Sequence, residues 1–205
     1  MEIKHHALAG VIEFTPRVFG DPRGAFFESF SARVMEEAGA VGNWVQDNQS
    51  SSGVGVLRGL HFQRPPFSQA KLVRVATGRV IDVVVDLRSS SPTYGQHVQV
   101  ELDSQRCNML YVPTGFAHGF MALEDHTLFL YKCTDYYNPG SEGGLRWDDP
   151  RWASTGASTR RWCRTKTAPC RYSPTSTRLS SKPPCLVIDD RGRGFTRSHR
   201  TLEIS

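Results

Sequence analysis

Lys71-Leu72-Val73-Arg74-Val75-Ala76-Thr77-Gly78-Arg79-Val80-Ile81-Asp82-Val83-Val84-Val85-Asp86-Leu87 reads as two strands joined by a turn. Valine dominates both runs, and Thr77-Gly78 breaks them. Val80–Val85 is nearly continuous apolar, the pattern of a strand covered on both faces. Working outward, Val54–Phe62, His97–Leu102, Met109–Val112, Phe116–Leu123 and Thr127–Tyr137 carry the same Val, Leu, Phe and Tyr enrichment. Turn residues separate them: Arg64-Pro65-Pro66, Ser91-Pro92, Pro113-Thr114-Gly115 and Asn138-Pro139-Gly140. Only Ser31–Ala40 suggests a helix, with Val34 and Met35 its apolar positions. Many short strands at close spacing predict an antiparallel sandwich or barrel.

The chain of 205 residues is long enough for one domain with a real core, and its 39% hydrophobic content is ordinary. No apolar run approaches the ~20 residues needed to span a bilayer. Met1–Gly10 has no apolar signal segment, so a cytoplasmic location and no membrane partner are expected. Cys107, Cys133, Cys163, Cys170 and Cys185 form no CxxC pair, which favours free thiols. The net charge of +5 is unevenly spread. Residues 151–205 hold 12 Lys+Arg against 3 Asp+Glu, whereas residues 1–150 hold 13 against 17. Basic residues scattered among Ser, Thr and Pro lack the interleaved aromatics of a nucleic-acid face, so no nucleic-acid partner is expected.

Six segments carry candidate chemistry. Asp21–Phe30 holds Arg23, Phe26 and Glu28; by itself it reads as a turn entering an edge strand, or as a guanidinium, a stacking ring and a carboxylate at the mouth of a site. Gln46–Ser50 supplies Gln46 and Asn48. Gly55–Gln63 follows with Arg58 and His61 three residues apart, which alternation would place on opposite faces unless Gly59 marks a bulge. An arginine within such a strand wants an anion, because burying it unpaired is costly. Lys71 opens its strand, where an inward ammonium could meet a developing oxyanion. Pro113–Phe120 contains His118 in a Pro-x-Gly setting like the second half of a cupin metal site. The first half offers only His61 with Gln63 in the matching slot, so a convergent ligand set is missing and no metal is expected. Leu130–Pro139 holds Tyr131, whose phenol stays protonated at neutral pH and can act as an acid.

Together, DPRGAFFESF, QDNQSSS, GVLRGLHFQ, KLVRVATGRVIDVVVDLR, SPTYG, VPTGFAHGF, LYKCTDYYNP and SEGGLRWDDP resemble the dTDP-4-dehydrorhamnose 3,5-epimerases and related deoxysugar epimerases over residues 1 to about 150. The resemblance implies an all-β, cupin-type double-stranded β-helix (jelly roll) with few short helices. It implies a homodimer that exchanges N-terminal strands. It implies epimerisation of a dTDP-4-keto-6-deoxyhexose at C5, and at C3 in some relatives, in pathways such as rhamnose-type and antibiotic sugar biosynthesis. His61 matches the family's base, Tyr131 its proton donor, and Lys71 the residue beside the keto oxygen. Arg23, Glu28, Gln46, Asn48, Arg58, His118 and Glu142 match nucleotide- and sugar-contacting positions, with Phe26 and Tyr137 near the same pocket. No cofactor is implied, and no Gly-rich dinucleotide fingerprint appears. A metal-dependent cupin isomerase or oxygenase and a non-catalytic sugar-nucleotide-binding module are the alternatives.

Residues 1–150 thus read as the jelly-roll domain and 151–205 as an atypical basic C-terminal tail. Family members orient the histidine with a carboxylate in a Lys-Asp dipeptide near the C-terminus, where this chain has Lys166-Thr167. Back-translating Trp152–Ser181 with G/C-rich codons and shifting the frame gives LGIDWGVDAPVVPDKDGALPVLSDFDSPF, which restores that dipeptide. The tail is therefore either read in a shifted frame or a genuine basic extension. Resequencing the gene should reveal one missing base near the codon of Arg151; an intact frame there leaves the extension.

Overall fold

The computed structural model describes residues 1–147 and, further on, the short strands Arg171–Tyr172, Leu186–Ile188 and Gly194–Thr196. The expectations for the remainder of 151–205 lie outside the described residues. Two sheets face each other. The first runs β1 (Glu2–His5), β2 (Ile12–Thr15), β10 (Met109–Val112), β7 (Lys71–Thr77), β12 (Thr127–Cys133) and β5 (Gln46–Ser52). The second runs β13 (Glu142–Gly144), β6 (Val56–Gln63), β11 (Phe116–Ala122), β8 (Arg79–Asp86) and β9 (His97–Asp103). Neighbouring strands within residues 1–147 pair antiparallel. One helix, α1 (Ala32–Glu37), and a 3-10 turn at Pro139–Ser141 complete a cupin-type jelly roll. No helix among the described residues is long and apolar enough to cross a membrane.

Three apolar layers follow from strand alternation. Val73, Val75 and Phe129 of the first sheet meet Val80, Val84, Phe116 and Phe120 of the second in the inter-sheet core. Phe120 and Phe129 stack across it with centroids 4.0 Å apart, a contact worth about 0.5–1.5 kcal/mol beyond their burial. Outside the first sheet, Ile12, Phe14, Leu72, Met109 and Tyr111 pack with Met35 of α1. Outside the second lie Leu57, Leu60, Val83, Val85 and Met121. Strand β8 is therefore buried on both faces, as its apolar run requires.

The spacing of Arg58 and His61 is resolved at Gly59. Phe120 lies opposite Arg58 and His118 opposite His61, so β6 spends three residues where β11 spends two. Directly opposed residues share a face, and Phe120 belongs to the inter-sheet core, so Arg58 and His61 both face inward. Gly59 takes a φ of 118°, and a Cβ there would stand 2.6 Å from the Gly119 Cα. A Cβ on Gly119 would stand 2.6 Å from the Arg58 carbonyl oxygen. Two glycines let the backbones meet at the bulge.

Several expectations shift. The Thr127–Tyr137 strand ends at Cys133, and Asp135–Asn138 turn back across the mouth of the barrel. Asp21–Phe30 is not an edge strand of either sheet. Instead β3 (Phe19–Asp21) and β4 (Gly24–Phe26) form a separate hairpin, pinned at its turn by Arg23 donating to the Asp21 carboxylate at 2.6 Å. The polar stretch Gln46–Ser52 is a strand, with Gln46, Asn48, Ser50 and Ser52 more buried than the residues between them.

Gly119→Ala should lower stability by about 1–3 kcal/mol in urea denaturation, because its new methyl meets backbone on the facing strand. It should also depress turnover by displacing His61; wild-type values for both would remove the bulge from the account.

Candidate active site

The site grows from inward positions on facing sheets. His61 and His118 project from the second sheet, with ring centroids 6.3 Å apart. From the first, Tyr131 and Phe129 stand on the inner face of β12, opposite Val73 and Val75 of β7 and Asn48 and Ser50 of β5. A ladder of rings links the two sheets: His118 to Phe129 at 6.2 Å, then Phe129 to Tyr131 at 6.1 Å. Lys71, buried, lies opposite Cys133 and holds its ammonium 5.7 Å from the centroid of the Tyr131 ring.

The environment sets each group's protonation. Desolvation, then the positive charges of Lys71, His118 and Arg58, pushes His61 well below the ordinary imidazole range. His61 is therefore a neutral ring able to accept a proton. Burial raises the Tyr131 phenol, with Cys133 reinforcing and Arg58 opposing, so it stays protonated. Burial lowers Lys71, while Cys133, Asp82 and Glu142 pull it back up. Among the described residues no carboxylate hydrogen-bonds the His61 ring; the orienting partner expected beyond residue 150 lies outside them.

Asp82 escaped the sequence reading. It is wholly buried on β8 and meets His118 Nε2 at 2.8 Å. Burial raises its carboxyl against the pull of His118 and Lys71. The signal was present, because a lone carboxylate inside Val-Ile-Asp-Val-Val-Val needs a buried partner. His118, placed by its motif beside a cupin metal site, thus spends one ring nitrogen on a carboxylate.

Two separate hydrogen-bonded polar groups flank these rings. Arg58 donates from Nε to Ser52 Oγ at 3.1 Å and from a terminal nitrogen to the Ser51 carbonyl oxygen at 3.2 Å. Gln46 donates to Asn48 Oδ1 at 3.0 Å and accepts from the Tyr137 backbone N–H at 3.0 Å. The Tyr137 hydroxyl donates to Glu142 Oε2 at 2.8 Å, which raises its pKa. Glu142 lies beside Gln63 through the β13–β6 pairing. The structure therefore gathers His61, His118, Lys71, Tyr131, Arg58, Gln46, Asn48, Tyr137 and Glu142 around one inter-sheet space. Arg23, Phe26 and Glu28 do not join them within this chain: Arg23 and Phe26 are 90% and 71% exposed on the β3–β4 hairpin, and Glu28 is exposed beyond it.

A neutral base on one sheet, a protonated phenol on the other and an ammonium between them define a site that can lift a proton from one face of a carbon and return one to the other. A family profile described as dTDP-4-dehydrorhamnose 3,5-epimerase matches residues 5–160. The dTDP-4-dehydrorhamnose 3,5-epimerase of Salmonella typhimurium is 51% identical over 144 residues, covering 70% of this chain and 79% of that protein. The dTDP-6-deoxy-D-glucose-3,5-epimerase of Legionella pneumophila, solved with dTDP-4-keto-L-rhamnose, superposes with a TM-score of 0.71 at 46% identity over 74% of this chain and 81% of its own. A 4-keto-6-deoxy sugar epimerase from the novobiocin gene cluster of Streptomyces spheroides gives 0.75 at 36% identity over 85% and 83%. The chain belongs to the dTDP-4-dehydrorhamnose 3,5-epimerase family, a family of isomerases.

Imidazole titration by NMR should place His61 below the ordinary value of about 6.5 in the free protein. Lys71→Met should move it upward, because a positive charge that disfavours the imidazolium is gone. An His61 value at or above 6.5 in the wild type would contradict the geometry.

Proposed function

We propose that this chain epimerises a dTDP-4-keto-6-deoxyhexose at C5 and C3, the carbons flanking the C4 ketone. The supporting observation is that His61 and Tyr131 project from opposite sheets into the same space, with Lys71 beside the Tyr131 ring. The ketone acidifies the neighbouring C–H bonds. Neutral His61 takes the hydrogen as a proton, and the C–H pair moves into the ring as the C4 oxygen becomes an enolate. The Lys71 ammonium and the His118 ring, held by Asp82, stabilise that oxygen. The enolate carbon then takes the Tyr131 proton on its other face and the ketone re-forms. The imidazolium then releases its proton to solvent and the Tyr131 phenolate recovers one, so the cycle closes, is redox-neutral and calls on no cofactor. Arg58 suits the diphosphate, while Gln46, Asn48, Tyr137 and Glu142 line the approach for sugar and base.

The exposed hairpin extends the reading to a second copy. Arg23, Phe26 and Glu28 are exposed and stand apart from this chain's own site, and β1 is an outer strand of its sheet. A homodimer would supply them in trans. The domain boundary near residue 150 and a cytoplasmic location complete the proposal.

Solvent deuterium should wash into C3 and C5 of the substrate, read by NMR. His61→Ala should abolish wash-in, a loss of about 10²-fold or more, while keeping dTDP affinity. Arg58→Ala should weaken dTDP binding by about 10- to 100-fold through a lost charge-assisted contact. Normal turnover by His61→Ala would overturn the mechanism. Light scattering should give twice the chain mass.

A further inference from the structure

We propose that Gln63 is a positioning residue whose side-chain amide clamps the Asp135–Glu142 segment to the strand carrying His61, and thereby sets the nucleotide-contacting rim. This rests on the reading that Tyr137 and Glu142 contact the nucleotide. Gln63 stands two residues after His61 on β6, so the two share a face. It is buried at 9% exposure. Its Nε2 donates to the Phe67 carbonyl oxygen at 2.8 Å and to the Tyr136 carbonyl oxygen at 3.2 Å. Its Oε1 accepts the Asn138 backbone N–H at 2.6 Å. One amide thus binds three backbone groups on two different loops.

Two of those groups bracket Tyr137, one residue to either side. Tyr137 itself reaches Glu142 through its hydroxyl and Gln46 through its N–H. Glu142 returns to β6 directly opposite Gln63. The segment is thereby closed at both ends on the strand of the base. The requirement is chemically narrow: two donors and one acceptor at the end of a neutral, stiff-strand side chain. Glutamate would aim a carboxylate at two carbonyl oxygens, and leucine would make none of the three hydrogen bonds. In the slot where a cupin metal site places a second histidine, this chain has a side chain spent entirely on backbone.

The test uses the full-length protein, with dTDP as the binding probe and deuterium wash-in as the rate. Gln63→Leu and Gln63→Glu should each raise the dTDP Kd and the substrate KM about 10-fold, the cost of two or three hydrogen bonds, with kcat within about threefold. Backbone hydrogen exchange without ligand should quicken at Asn138 and Tyr137 while β8 and β11 stay protected. Unchanged Kd and Asn138 exchange in both variants would overturn the proposal, as would a fall in kcat at constant KM. Exchange quickening evenly across both sheets would also overturn it, since that is loss of fold rather than of a clamp. If neither variant folds, the wild-type Asn138 amide decides: strong protection supports the clamp, and exchange at the rate of an unstructured peptide refutes it. A wild-type protein that binds no dTDP but protects Asn138 would sink the nucleotide reading and leave the clamp standing.

Discussion

The backbone contact between Gly59 and Gly119 governs how the site is assembled. Strand alternation sends residues three apart to opposite faces, and only an inserted residue brings both inward. That insertion needs two strands closer than a Cβ permits: one built on either glycine would stand 2.6 Å from the facing backbone. From that contact follow the inward ring of His61 and the inward guanidinium of Arg58, and ordinary alternation then gives Gln63 the face of His61. The facing sheet needs no such device, because Lys71, Tyr131 and Asn48 fall on its inner face by regular alternation.

Burial then converts position into reactivity. Neutral imidazole and neutral phenol are the forms favoured in a site poor in water, and desolvation is the leading influence on both His61 and Tyr131. The cations pull in the opposite direction for an enolate. Lys71 and Arg58 disfavour a further positive charge on His61, and in the proposed mechanism Lys71 also stabilises the negative charge that develops on the substrate oxygen. In that mechanism one ammonium both keeps the imidazole free of a proton and stabilises the enolate it creates. The Phe120–Phe129 stack fills the inter-sheet core beside them.

Much of this was legible in the chain. The Lys71–Leu87 segment announced a buried strand pair, whereas His61, Lys71 and Tyr131 each had an ordinary structural reading in their strands and gained roles only through the family resemblance of their motifs. Polar or very short strands were harder. Gln46–Ser52 has no apolar face and becomes a strand only because β12 lies alongside it. Glu2–His5 is exposed throughout and pairs only through β2. Asp82 could have been found from its apolar surroundings, but its partner is 36 residues away and only the fold supplies it. Gln63 gave no signal, since its three hydrogen bonds go to backbone, which sequence does not label. The placement of Arg23 and Phe26 outside the pocket was also hidden, because a short hairpin and an edge strand share one local pattern.

The β3–β4 hairpin pairs with neither sheet among the described residues. An arm of this kind draws little of its stability from the barrel and lends little in return. Its sequence can therefore drift without endangering the fold, restrained only by whatever surface receives it. Under the proposed exchange between copies, contacts to the bound sugar nucleotide can vary at Phe26 while the residues between the sheets are left untouched.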